Sequence, residues 1–148
     1  MADIACRLAT WLRSSSTRLP GLLEAAPSTP PLLTYRHGPL IASPQVFTLF
    51  WGAEWLAAQA ALAADLNRFF DFVLTSALMD QLGEYSVPAY PLGHGRRTGT
   101  LTIATPAPGH SLSDTAIQHF LQHQIATGAG VPAPSPDALY FVYLPPGV

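Results

Sequence analysis

Leu139-Tyr140-Phe141-Val142-Tyr143-Leu144, followed by Pro145-Pro146-Gly147-Val148, is the last stretch of a 148-residue sequence. An unbroken run of apolar, β-favouring residues between Pro-rich segments reads as a strand covered on both faces, the kind that builds the parallel sheets of α/β proteins. Such a strand normally lies mid-sheet. Either this chain covers it or a partner does.

A second run of the same kind lies upstream. Gln45-Val46-Phe47-Thr48-Leu49-Phe50-Trp51 is closed by Gly52 and reads as the first central strand, buried on both faces. Trp55, Leu62, Leu66, Phe69, Val73 and Ala77 then recur at helical steps, which predicts a helix from about Glu54 to Leu82. Asp65, Arg68 and Asp71 fall off the centre of that stripe, while Phe70, Phe72 and Leu74 widen it. Thr75-Ser76 either interrupts the helix or caps a shorter second one, and Gly83 ends it. From Tyr85 to Gly99, Pro88, Pro91, Gly93, Gly95 and Gly99 predict a long irregular connection or loose hairpin.

Thr100-Leu101-Thr102-Ile103-Ala104 alternates polar and apolar residues, as a half-buried or edge strand does. Ser113 is a good N-cap with Asp114 in the first turn, predicting a helix over 115–127 that stops at Gly128 and buries Ile117, Phe120, Leu121 and Ile125. The order strand, long helix, strand, helix, strand predicts an α/β domain with right-handed crossovers: a small mixed or mostly parallel sheet of about three to five strands, packed by two main helices.

Residues 1–31 read as a separate N-terminal element. Ile4, Leu8, Trp11 and Leu12 recur at helical spacing, Pro20-Gly21 breaks the pattern, and Pro27, Pro30 and Pro31 mark a linker before a domain over 32–148. This N-terminus lacks the continuous apolar core of a secretory signal, and no run reaches the roughly 18 apolar residues of a membrane span. A cytoplasmic location is therefore favoured.

Composition narrows the function classes. Apolar residues make up 49% of the chain and charged residues only 11%, against a usual charged share of about 25%. A surface so poor in charge favours association with a second copy or a protein partner. The net charge of −2, with Arg96-Arg97 as the sole adjacent basic pair, gives no field for nucleic acid. Cys6 is the only cysteine, so no internal disulfide forms.

Five residues form the candidate ligand site: His37, Tyr85, His94, Arg96 and Arg97. His94, Arg96 and Arg97 accompany Gly93 and Gly95, whose backbone freedom suits an anion nest, although a hairpin tip with solvated arginines is preferred. His37, within Tyr35-Arg36-His37-Gly38-Pro39, has the chemistry of a general base, but turn formation explains that stretch more simply. His119 and His123 lie four apart on a helix, a metal-chelating spacing, yet on the side opposite the apolar stripe and with no third ligand, so a solvated face is preferred. His110, Ser111, Ser113 and Asp114 hint at a nucleophile and base, but capping accounts for them better. Trp51 and Trp55 are either a stacking platform or core. No cofactor is predicted.

The stretch from about Tyr35 to Val148 resembles the N-terminal half of the phosphate-induced (exordium-like) proteins and their bacterial secreted relatives. The likeness is carried by Tyr35 to Ile41, Leu49-Phe50-Trp51-Gly52 with Trp55, Leu82 to Tyr85, the helix from Asp114 to Ile125, and above all Tyr140-Phe141-Val142-Tyr143-Leu144-Pro145-Pro146-Gly147-Val148. The resemblance implies the α/β fold and a longer, exported protein. In the bacterial relatives it also implies a zincin-like metal site beyond the Pro-Pro-Gly-Val segment. Here Arg36-His37-Gly38 stands where that family has His-Gly-Gly, and no catalytic residue carries over. The function expected is association without catalysis; the alternative is an enzyme or small-ligand binder, hydrolase-like and needing a further C-terminal half, with its pocket near Gly93 to Arg97.

Overall fold

In the computed structural model, which describes residues 34–148, β1 (Gln45–Trp51) is the centre of a three-stranded, all-parallel sheet of order β2-β1-β3. β2 spans Arg96–Ile103 and β3 spans Ala138–Tyr143. Both pair with β1, in registers that set Thr48 beside Thr100 on one side and Phe141 on the other. The expected α/β domain is the one observed. Its compact unit begins at Tyr35, and the N-terminal helix and linker expected over 1–31 lie outside the described residues.

β1 is central because its side chains can be buried both ways. Val46, Thr48 and Phe50 point to one face and Phe47, Leu49 and Trp51 to the other, and all six are buried. Each apolar side chain so buried contributes roughly 1.5–3 kcal/mol. Helix α1 (Ala60–Val73), with Phe70 and the following Leu74, covers the Val46 face together with Leu139 and Tyr143. Helix α3 (Asp114–Ala126) covers the Phe47 face with Phe120, Leu121 and Ile125. One crossover runs from the centre to the β2 edge and the next runs back past the centre to β3, so crossovers of one hand place their helices on opposite faces.

The long helix predicted over 54–82 is three pieces: a 3-10 turn at Ala53–Leu56, α1, and α2 (Ala77–Leu82). Thr75 and Ser76 do interrupt it, their hydroxyls bonding back to carbonyls of Asp71, Phe72 and Val73 instead of extending the helix. Nor is the inward face the predicted one. Phe70 is buried while Leu62 and Phe69 are exposed, a rotation of about one residue. Asn67 explains the rotation. Its Oδ1 accepts from the Thr48 hydroxyl at 2.6 Å, so this polar residue faces the sheet and satisfies the one buried polar side chain of β1.

β2 also begins earlier than its alternation indicates. Arg96, Arg97, Thr98 and Gly99, read as part of an irregular connection, belong to the strand, with a register shift opposite Val46 and Phe47. α3 starts as predicted: the Ser113 hydroxyl accepts from the Ala116 N–H at 3.2 Å, and Gly128 follows its end at φ 65°.

Candidate functional site

The five candidate site residues do not converge. His94, Arg96 and Arg97 lie at the N-terminal end of β2, opposite the strand ends where α/β sheets bind ligands. The Gly93 N–H donates to the Ala42 carbonyl at 3.0 Å and the Gly95 N–H to the Leu74 carbonyl at 2.9 Å, so the two amides of the imagined anion nest are already engaged. Gly95 is glycine for a packing reason: a Cβ there would collide with the Pro44 carbonyl.

Two residues of this group are tied to acids from the α1–α2 region. Arg97 grips Asp71 through two hydrogen bonds of 3.0 and 2.9 Å, and His94 Nε2 lies 2.8 Å from Asp80 Oδ1. Asp137, just before β3, accepts from the Ala42 and Ser43 N–H groups at 2.8 and 3.3 Å, fastening the entry to β1. These contacts hold together the N-terminal ends of all three strands.

His37 stands apart at φ 61°, its ring 5.1 Å from that of Tyr35, whose hydroxyl donates to the Gly38 carbonyl at 2.6 Å. The turn is self-contained. Tyr85 is exposed at the end of a 3-10 turn over Gly83–Tyr85, its phenol pKa raised by a hydrogen bond to Glu84 and by that residue's charge. His119 and His123 are exposed on α3, and among the described residues no three His, Cys, Asp or Glu side chains gather as a metal site would require. Ser113 is spent on its cap.

Trp51 and Trp55 are core. Trp51 stacks on Phe120 with ring centroids 3.6 Å apart and donates from Nε1 to the Pro106 carbonyl at 2.7 Å. Trp55 packs against Phe50 and Tyr143, and its Nε1, buried, has no hydrogen-bond partner among the described residues.

The feature that sequence reasoning missed is an edge. Gln45 N–H donates to the Asp137 carbonyl at 2.8 Å while Gln45 registers with Ala138. In a parallel ladder this fixes the alternation: Leu139, Phe141 and Tyr143 turn their backbone groups toward β1, and Tyr140 and Val142 turn theirs outward. No described strand lies beyond them. Side-chain apolarity reports covered faces and is silent about ladder hydrogen bonds, so nothing in the residues signalled this.

Next to that open edge runs apolar surface. Phe141, 38% exposed, sits 4.5 Å from the Phe70 ring, which in turn meets Phe69, 55% exposed. Phe72, Leu56 and Leu78 are also exposed. Among the described residues no helix is long and apolar enough to cross a membrane.

The fold is a small, three-stranded, parallel α/β domain in which, among the described residues, β2 and β3 are both edge strands. No family model matches the chain, nor does any curated protein or solved structure.

Proposed function

We propose that this chain is a non-catalytic α/β domain that acts by association through its β3 side. The observation that carries this reading is the outward row of backbone groups at Tyr140 and Val142, on a strand with no charged side chain, beside the exposed Phe141. Apolar strand edges and contiguous apolar patches are the surfaces proteins use to pair with other chains. The low overall charge supports the same reading. The likeness to the exordium-like proteins adds a fold in which this strand is followed by further protein.

Amide hydrogen exchange in dilute solution tests it. The Phe141 amide, turned toward β1, should exchange slowly, and those of Tyr140 and Val142 quickly. Slow exchange at all three in a monomeric chain would mean the edge is already covered, and the reading fails.

A small-ligand reading has one observation in its favour, the unpartnered Trp55 Nε1 at the C-terminal end of β1. There Gly52, at φ 134°, lets Glu54 and Pro145 approach closely, and sheets of this kind seat ligands at such strand ends. On that reading Trp55→Phe weakens ligand binding while leaving the fold intact; unchanged binding would exclude it.

A further inference from the structure

Resting on the association reading, we propose that the partner is a second copy of this chain, joined by antiparallel pairing of β3 with β3 about a two-fold axis at Phe141. Among the described residues, the backbone groups of Tyr140 and Val142 have no partner, and they lie symmetric about Phe141. A two-fold axis perpendicular to the sheet at that residue sets Tyr140 of one chain opposite Val142 of the other, twice. Each such pair exchanges two hydrogen bonds, so all four outward N–H and C=O groups of Tyr140 and Val142 in each chain are satisfied. The two sheets become one of six strands.

The side chains agree with this register. Phe141 of each copy meets its own counterpart across a non-hydrogen-bonded pair, on the face where it already touches Phe70. Leu139 lies opposite the copy's Tyr143, both members of the same apolar layer. Charge also favours a second copy. Residues 138–148 carry no charged side chain, so two identical edges meet without repulsion, whereas a charged partner finds nothing there to recognise.

Head-to-tail pairing of β3 with the β2 edge of a second copy would instead leave an unpaired β3 edge for a third copy. The paired strands supply about 20 Å of shared edge. Phe141, Phe70 and Phe69 continue the apolar surface onto α1, toward the roughly 1,000 Å² that a stable interface needs.

Disulfide trapping reads the register directly. In a Cys6→Ser background, Phe141→Cys places two sulfurs across a pair whose Cα atoms stand about 4.5 Å apart, inside the range a disulfide bridges. Mild oxidation should convert most of this chain to a covalent dimer. Leu139→Cys in the same background, some four residues out of register with its own counterpart, should give no covalent dimer.

Amide exchange of the unmodified chain over a concentration series gives a readout that no variant can spoil. Exchange at Tyr140 and Val142 should slow by about tenfold or more as the mass doubles. A monomer at every concentration with these amides unprotected overturns the second copy but leaves the association reading standing. A monomer with them protected overturns both. A dimer with them unprotected, or trapped by Leu139→Cys instead of Phe141→Cys, overturns this interface.

Discussion

The two edges of the sheet are built to opposite specifications. β2 opens with Arg96 and Arg97, carries a register irregularity, and anchors Arg97 to Asp71 on α1. Charge and bulges are the devices that keep an edge strand from pairing with another chain. β3 has none of them: no charge, no proline within the strand, an uninterrupted register with β1, and an exposed phenylalanine. Both strands are held by the same central β1, so the contrast is not one of stability. Among the described residues, one edge carries these devices and the other carries none.

The largest effect should come from undoing the β2 edge at its start. In Gly95→Ala the added carbon runs into the Pro44 carbonyl, a backbone atom that cannot move without shifting the entry to β1. A loss of about 2 kcal/mol or more, read from urea unfolding, is expected; a cost within about 0.5 kcal/mol would show that the β2 edge is looser than described.

A smaller effect on stability, but a larger one on association, is expected from Arg96→Ala combined with Arg97→Ala. The Arg97–Asp71 pair is half in solvent and contributes about 1 kcal/mol at most. Stripped of its cations, the β2 edge should begin to pair as β3 does, giving species beyond the dimer in light scattering. An unchanged mass would mean that the bulge, not the arginines, closes this edge.

The smallest effect separates the edges by pH. Burial raises the pKa of the Tyr140 and Tyr143 phenols above the usual value of 10.0, and β2 has no such group. Ionisation is therefore harder in the folded chain than in the unfolded one. The stabilisation is complete below the unfolded value of about 10 and is lost as pH rises through the folded values. Ionised Tyr140 also ceases to donate its 2.8 Å hydrogen bond to the Pro132 carbonyl. Urea midpoints should fall between pH 9 and 11, and less so in Tyr143→Phe; parallel profiles for the two proteins would remove Tyr143 from the account.

The sequence showed faces far better than edges. β1 was legible end to end because Val46 to Trp51 are apolar or β-branched at every position, and α3 because Ser113 and Gly128 mark its limits. The inward face of α1 was misjudged because Asn67 looks like a surface residue until Thr48 is known to be its partner. Arg96 to Gly99 looked like loop because a strand held by backbone bonds to β1 needs little from its side chains. The partners of Arg97 and His94 lie 26 and 14 residues away, with no local pattern linking them. Hence His94, Arg96 and Arg97 seemed to share one loop, when two of them brace the base of the sheet.

The most direct test is the solution mass of the unmodified chain and of Phe141→Lys, measured by light scattering over the same rising concentrations. Lysine gives β3 the protection that β2 already has. The account predicts a dimer for the unmodified chain and a folded monomer for Phe141→Lys. A monomer in both, or a dimer that persists in Phe141→Lys, would contradict it.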